Sequence, residues 1–313
     1  MAGKQVKQVE HVNDRPIGIF DSGLGGLTVV GDLLTAMAGE DVIYLGDSAR
    51  VPYGIKSLQT VRRFAVEDAA FLLRFNPKLI VVACNTASAA AIDVLEAGYP
   101  VDVVDVIRPG VAAALATTDG AIGVIATEAT VASGAYNRAV AAIDPAREVI
   151  SAACPLLVPI VEEGRDEHDP IVLCVLSEYL RELRRRRPGA LILGCTHYPL
   201  LSGAIAKLMG PDVSLVSSAG AAASEVVRRL EATGQRSGRT SGGALKCFTT
   251  DDPQRFSRLA ERFGGRRIDR VEFVGTDELS SAAGGTFVPD AGQPSSTAGE
   301  KPTVGVNDAR TCF

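Results

Sequence analysis

The stretch LIVVACNTASA, residues 79 to 89, runs from apolar residues into Cys84 and then into small, helix-starting residues. The stretch LILGCTHYPL, residues 191 to 200, repeats this order around Cys195. In an open parallel sheet, ligands collect at the carboxyl ends of the strands. The repetition therefore predicts two similar halves, each with a cysteine at the ligand-binding end of a strand.

Short apolar runs alternate with helix-length amphipathic stretches along most of the chain, which favours the doubly wound α/β class with parallel sheets. Long helices are predicted over residues 57 to 75, with Ser57 as N-cap, and over 170 to 187. The predicted strands are residues 16 to 20, 41 to 45, 79 to 83, 101 to 104, 121 to 126, 148 to 152, 190 to 194, 213 to 217, 244 to 248 and 271 to 274.

The composition argues against a membrane protein and against a nucleic-acid-binding protein. No apolar run approaches the length of a membrane span, and residues 1 to 15 lack the apolar centre of a signal peptide, so we expect a cytoplasmic protein. The formal charge is −5, and an anionic substrate must therefore be held by local donors. The basic run of Arg181 and residues 184 to 187 is interpreted as complementing the C-terminal end of a helix.

Six cysteines are present without a C-x-x-C pair, which argues for reduced thiols and against a redox motif or a zinc ribbon. Residues 233 to 243, rich in Gly, Ser and Arg, are predicted to be a surface linker. Residues 276 to 313 are rich in Gly, Ser and Pro and are predicted to be a disordered tail in which Cys312 is an incidental thiol.

Three further loops follow predicted strands and carry polar residues: FDSGLGGLTV (20 to 29), GDSARVPYG (46 to 54) and ATEAT (126 to 130). Glycines allow such a loop to present backbone N–H groups at a helix N-terminus, which suits a carboxylate or a phosphate. The spacing of the glycines in DSGLGG matches neither the dinucleotide fingerprint nor the P-loop, so nucleotide binding is disfavoured. For Asp21, helix capping is the alternative interpretation.

A single cysteine is more often a small buried hydrophobic residue than a catalyst. Two cysteines on opposite sides of a small anion suit a different task, the inversion of a carbon next to a carboxylate without metal or pyridoxal. One thiolate removes the proton and one thiol returns a proton to the other face. Asp21 can assist Cys84 and His197 can assist Cys195, because a free thiol ionises above neutral pH.

Hydroxyl, amide and backbone groups in the same loops can bind carboxylate oxygens and stabilise the carbanion-like transition state. They are Ser22, Tyr53, the backbone of Gly54, Asn85, Thr86, Thr127, Thr130 and Thr196.

Five segments in order, FDSGLGGLTV, GDSARVPYG, ACNTASA, CPLLVPIVEEG and GCTHYPLL, resemble the signatures of the glutamate racemase family, within the cofactor-independent aspartate/glutamate racemase superfamily. The resemblance covers about residues 16 to 275. It implies an isomerase that needs no cofactor and interconverts L- and D-glutamate, supplying D-glutamate for peptidoglycan and thereby serving cell-wall biogenesis and cell shape.

The resemblance also implies the roles of individual residues. Cys84 and Cys195 are implied to be the two acid/base residues, and Glu162 an acidic residue near the cleft. The implied lining of the glutamate site is Asp21, Ser22, Tyr53, Gly54, Asn85, Thr86, Thr196 and His197. Three positions depart from the usual pattern, Ser48, Ala126 and Ser217, and none of them is a catalytic thiol.

Two pseudosymmetric domains facing each other across a central cleft are implied, with chain crossings near residues 107 and 218. The expected division is an N-terminal extension at 1 to 15, a first domain of 16 to 107 plus 218 to 275, a second domain of 108 to 217, and the tail. The family implies a homodimer. An interaction with DNA gyrase has been proposed for some members, and the residues of this chain argue neither for nor against it.

Other functions stay open at the level of sequence. Aspartate racemases and hydantoin or arylmalonate enzymes also place two such residues across a cleft; both cysteines are present here, which favours racemisation over decarboxylation. A zinc site formed by Asp21, Cys84, Cys195 and His197 would belong to another class. A non-catalytic binding protein with the same pocket is the third alternative.

Overall fold

Two all-parallel sheets form the core of the computed structural model, which describes residues 13–268 and 270–284. Sheet A has the strand order β10-β9-β2-β1-β3-β4 and sheet B has the order β6-β5-β7-β8. The strands are β1 Ile17–Asp21, β2 Val42–Gly46, β3 Leu79–Val82, β4 Asp102–Asp105, β5 Ile122–Ala126, β6 Val149–Ala153, β7 Ala190–Gly194, β8 Ser214–Ser217, β9 Leu245–Thr249 and β10 Val271–Phe273. The predicted fold class and strand positions are confirmed.

Helices follow most of the strands and cover both faces of the sheets. Their bounds are α1 Leu27–Ala36, α2 Leu58–Leu73, α3 Asn85–Gly98, α4 Ile107–Thr117, α5 Glu128–Ser133, α6 Ala135–Ala141, α7 Leu157–Glu162, α8 Pro170–Tyr179, α9 Arg181–Arg186, α10 Ser202–Met209, α11 Ser218–Ala232, α12 Pro253–Gly264 and α13 Thr276–Ala282. No helix among the described residues is long and apolar enough to cross a membrane.

The central strands are apolar except for Asp21 at the end of β1, as expected for strands that helices cover on both faces. Every residue of β1, β3, β5 and β7 is buried. Continuous apolar runs of this kind are expected for parallel strands, whereas a half-exposed sheet would alternate. The carboxyl ends of these four strands carry four of the segments that the sequence analysis singled out, and the GDSARVPYG loop follows β2.

The predicted N-cap of α2 is confirmed, since the Ser57 side chain accepts a hydrogen bond from the N–H of Thr60 at 3.2 Å. The prediction of one helix over residues 170 to 187 is wrong. The chain forms α8 and α9 instead, because the backbone at Leu180 (ψ −4°) leaves the regular helical range. Leu180 is itself fully buried, which fixes this turn in the core.

Strands β1 to β4, β9 and β10 belong to sheet A, and β5 to β8 belong to sheet B. We call sheet A with its helices the first half and sheet B with its helices the second half. Helix α11 brings the chain back and packs against both α1 and α4. This arrangement supports the domain division with crossings near 107 and 218, which we keep as a proposal.

The segment of residues 233 to 243, expected to be a surface linker, is held by specific contacts. In the 233 to 243 linker, the carbonyl of Gln235 accepts a hydrogen bond at 2.9 Å from the buried Nζ of Lys78, and the N–H of Ser237 donates to Glu40 at 2.7 Å. This linker is thus anchored to the first half at two points by buried polar groups.

The expectation of disorder from residue 276 onward is wrong for residues 276 to 284. Helix α13 packs against α2, and the side chain of Leu279 is fully buried there. Burial of this leucine gives the segment an apolar anchor that its average composition does not reveal. The rest of the expected tail, including Cys312, lies outside the described residues, as do residues 1 to 12.

Candidate active site

Cys84 lies two residues after the end of β3 and caps helix α3. Its sulfur accepts a hydrogen bond from the N–H of Ala87 at 3.5 Å, and its thiol donates to the Oγ of Ser22 at 3.6 Å. Burial, reinforced by the negative charge of Asp21, raises the pKa of Cys84 to about 12. In this arrangement Cys84 keeps its proton at neutral pH.

Asp21 ends β1, the strand next to β3 in sheet A. Its Oδ2 accepts a hydrogen bond from the N–H of Gly23 at 2.9 Å, whereas its Oδ1 is buried without a partner among the described residues. Burial raises the pKa of Asp21, and the positive charge of His197 opposes that rise. Asp21 therefore acts on Cys84 through its charge, while Ser22 makes the direct contact.

Cys195 lies directly after β7 in sheet B, beside an imidazole and a carboxylate. Its sulfur is 3.8 Å from Nδ1 of His197, and Nε2 of that ring is 3.1 Å from Oε1 of Glu162. Burial opposes protonation of His197, but Cys195 and Glu162 outweigh it and raise the pKa of the imidazole to about 10. His197 is thus an imidazolium at neutral pH, and a positive charge beside a cysteine stabilises the thiolate.

Three threonine hydroxyls join the two halves in a closed set of hydrogen bonds, which we call the threonine ring. Thr86 of the first half lies 2.9 Å from Thr127 and 3.1 Å from Thr130 of the second half, oxygen to oxygen, and the last two are 2.9 Å apart. Each oxygen can also donate or accept elsewhere. The ring presents three buried hydroxyls where the first and second halves meet.

Two predicted donors are engaged with the protein itself. The amide nitrogen of Asn85 donates to Tyr136 at 2.8 Å and to Ser218 at 3.2 Å, and its Oδ1 is buried without a partner among the described residues. The hydroxyl of Tyr53 donates to Asp47 and lies 3.1 Å from Oδ2 of Asp68. The Tyr53 hydroxyl is thus engaged with carboxyl groups of its own half, and the placement of Tyr53 in the glutamate site stays a prediction.

Glycines in two loops of the first half, Gly25 in DSGLGG and Gly54 in GDSARVPYG, allow the two halves to approach closely. A Cβ on Gly25 would lie 2.1 Å from Oγ1 of Thr196 and 2.7 Å from Nδ1 of His197. A Cβ on Gly54 would lie 2.6 Å from Cβ of Thr127. Both positions therefore need glycine because the opposite half packs directly against the backbone.

The Glu162 side chain borders a small solvent-open cleft of about 30 Å³ that Gly23 and Leu24 also line. Glu162 keeps about 21% of its side chain exposed, while His197 is almost fully buried. The His197–Glu162 pair thus connects the buried sulfur of Cys195 to the surface.

No group of three or more His, Cys, Asp or Glu side chains within residues 13–268 and 270–284 is arranged to hold a metal ion. The four-ligand zinc site considered from the sequence has no geometric counterpart there. Two of its four ligands have other partners, because Cys84 bonds to Ser22 and His197 bonds to Glu162.

Sequence reasoning missed the residues that support the site from behind: Arg50, Asp47, Asp68, Tyr136 and Ser218. The one available signal was the pair Glu67 and Asp68 within an otherwise apolar part of α2, since buried carboxylates require partners.

Two facing parallel sheets with a cysteine at the carboxyl end of one strand in each half define a class of two-domain α/β proteins with paired thiols. The model of the Asp/Glu/Hydantoin racemase family matches residues 26–226, and the chain belongs to this family. A glutamate racemase of Thermus thermophilus is 48% identical over 264 residues, which cover 84% of this chain and 98% of that protein.

Solved structures show the same relationship. A glutamate racemase isoform of Bacillus anthracis, RacE1, superposes with a TM-score of 0.81 at 39% identity, covering 84% of this chain and 98% of that one. A glutamate racemase of Francisella tularensis, solved in complex with D-glutamate, gives a TM-score of 0.78 at 39% identity over 85% and 99% of the two chains.

Proposed function

We propose that this protein is a glutamate racemase that interconverts L- and D-glutamate without a cofactor, using Cys84 and Cys195 as the two acid/base groups. The observation that carries the proposal is the pair of buried cysteines, each after a strand of a different half. The substrate class is supported by relatives named glutamate racemases and by the Francisella tularensis structure with D-glutamate.

The different surroundings of the two thiols support complementary starting roles in this proposal. The Cys195 thiolate, beside the His197 imidazolium, removes the Cα proton of one enantiomer, and the electron pair of the C–H bond stays on the substrate. The Cys84 thiol then donates its proton to the opposite face of Cα, and this inverts the centre. Starting from the other enantiomer, the two thiols exchange roles.

The substrate carboxylates need donors in a buried site, because a buried charge without partners is costly. The threonine ring, Ser22 and Thr196 supply hydroxyls, and the backbone of Gly54 supplies an N–H next to the ring. Hydrogen bonds that strengthen as charge moves into the α-carboxylate would stabilise the carbanion-like transition state.

The cellular role that follows from this activity is the supply of D-glutamate for peptidoglycan, in the cytoplasm. A homodimer is the assembly that family resemblance supports. Both are parts of the proposal and depend on the activity itself.

Circular dichroism of L-glutamate incubated with the purified protein, with EDTA present and no added pyridoxal, tests the activity. The proposal predicts decay of the signal to zero. Decay with L-aspartate but not with L-glutamate would assign the chain to a neighbouring activity, and no decay with either would favour the non-catalytic binding protein.

A further inference from the structure

A buried acidic cluster lies behind the Tyr53–Gly54 segment, outside the proposed glutamate site. Asp47, Glu67 and Asp68 surround the single guanidinium of Arg50. Arg50 donates to Asp47 at 2.6 Å, to Asp68 at 2.9 Å, and also to Glu67. Arg63 approaches Glu67 at 3.9 Å from the solvent side. The cluster therefore has more carboxylates than cations in its buried part.

The hydrogen bonds of Tyr53 decide where a proton must be in this cluster. A phenol has one proton, and that of Tyr53 is donated to Asp47. The carboxyl Oδ2 of Asp68 nevertheless lies 3.1 Å from the same phenol oxygen. Two ionised oxygens cannot share one donor well, but a protonated Asp68 can donate to the phenol oxygen.

Burial also favours a protonated Asp68. The Asp68 side chain is fully buried on α2, and burial together with the charge of Asp47 raises its pKa well above the usual range. Asp47 is better supplied with donors, because it also accepts from Thr250 at 3.0 Å. The protonated Asp68 then donates a hydrogen bond to the phenol oxygen of Tyr53, and the Tyr53 hydroxyl donates to Asp47. Arg50 donates to both carboxyl groups.

These hydrogen bonds fix the Tyr53–Gly54 segment, which contacts the second half. Gly54 follows Tyr53 directly and packs against Thr127 so closely that a Cβ would come within 2.6 Å. Thr127 belongs to the threonine ring. We propose that Asp68 is a positioning residue, which keeps its proton and, through Tyr53, holds Gly54 against Thr127 in the glutamate site. This inference rests on the proposed racemase function.

Steady-state kinetics of variants with L-glutamate test the inference. Asp68→Ala removes the donor to Tyr53, and Tyr53→Phe removes the acceptor. Each is expected to raise KM on the order of tenfold with a smaller change in kcat, because the segment is displaced while the thiols are untouched. The double variant should be no worse than the more impaired single variant, since both act through one contact.

Asp68→Asn separates positioning from general structural support. Its amide N–H can donate to the Tyr53 oxygen as a protonated carboxyl does, so KM should stay within about twofold of the wild-type value. Asp93→Asn, on the exposed side of α3, is the matched control and should change neither KM nor kcat. Far-ultraviolet circular dichroism verifies the fold of each variant.

Three outcomes would overturn the inference. Unchanged KM in Asp68→Ala and Tyr53→Phe would remove the positioning role. A loss in Asp68→Asn as large as in Asp68→Ala would show that the ionised form is required. If Asp68→Ala does not fold, Tyr53→Phe and Asp68→Asn alone give the same decision. A wild-type protein that does not racemise glutamate would overturn the proposed function and this inference with it, whereas an active wild type with unaffected variants would overturn the inference alone.

Discussion

At the scale of single residues, the two thiols are alike in burial and different in charge environment. Cys84 lies beside the Asp21 carboxyl group, and Cys195 lies beside the imidazolium of His197. A negative neighbour favours the thiol and a positive neighbour favours the thiolate. With Cys195 as the base and Cys84 as the acid, the proposed reaction starts from one enantiomer and leaves the proton on Cys195 and the charge on Cys84. That product state is the one from which the other enantiomer can react.

Replacing either cysteine by serine removes one of the proposed acid/base groups while keeping the shape of the side chain. Cys84→Ser and Cys195→Ser are each expected to lower the rate of racemisation by about 10²- to 10⁴-fold, the range for a single general acid or base. Cys174→Ser, at a partly buried position on α8, is the matched control. Polarimetry of glutamate gives the rate, and a wild-type rate in either active-site variant would refute the assignment.

The pKa of His197, raised from 6.5 to about 10, predicts a pH-dependent contribution to stability. Since the folded state holds the proton more tightly than the unfolded state, this contribution is fully present below pH 6.5 and is lost as the pH rises through about 10. His197→Asn removes it. The difference in free energy of unfolding between wild type and variant, measured by urea titration, should therefore shrink over this pH interval; a constant difference would contradict the imidazolium assignment.

At the scale of elements, the loop between β1 and α1 is shaped by its contact with the opposite half. Gly25→Ala would place a methyl group against Thr196 and His197, so the loop must shift and the cleft must open. We expect kcat/KM for glutamate to fall by at least about tenfold with the fold retained. Gly98→Ala is the control, because a Cβ there has nothing within 4 Å; equal activity of the two variants would show that the loop contact is dispensable.

Helix α13 gives a second prediction at this scale. Leu279 is fully buried between α13 and the first half, and Leu279→Ala should lower the free energy of unfolding by ~2–5 kcal/mol. Ser280→Ala, on the exposed face of the same helix, should change it by less than about 0.5 kcal/mol. Thermal or urea unfolding measures both, and a stable Leu279→Ala protein would mean that α13 does not belong to the folded unit.

Elements differ in how far the sequence predicts them. The strands were predictable because parallel strands buried on both faces leave continuous apolar runs. Helix α13 was not, because its one buried leucine stands among Ser, Gly and acidic residues whose average composition is that of a tail. The break at Leu180 was also hidden, since the apolar pattern continues through it and only tertiary packing bends the chain there.

The same distinction applies to the candidate site. The two cysteines could be singled out because each follows a strand and is joined by polar neighbours in the sequence. The direction of the Tyr53 hydroxyl and the role of Asp68 depend on which face of α2 turns inward, and no local pattern encodes this. Asp68 is separated from Asp47 by about twenty positions of chain, so their shared contact exists only in the folded protein.

At the scale of the whole molecule, the two halves meet both through α11, which packs against α4, and through contacts at the site. The threonine ring, the packing of Gly54 on Thr127 and the packing of Gly25 on Thr196 join first-half loops to second-half strand ends. The rings of Phe263 on α12 and His197 also pack against each other at a steep angle, with the ring centres 5.2 Å apart. These contacts hold the two halves together around the proposed glutamate site.

The central claim is that two thiols act on opposite faces of one carbon, and proton NMR of Cα during racemisation of L-glutamate in deuterium oxide tests it most directly. Early in the reaction, two separate bases predict deuterium in the D-glutamate formed and almost none in the recovered L-glutamate, because the returning proton comes from the second thiol. Deuterium entering both enantiomers at equal rates would show that one base serves both faces, and would contradict the account.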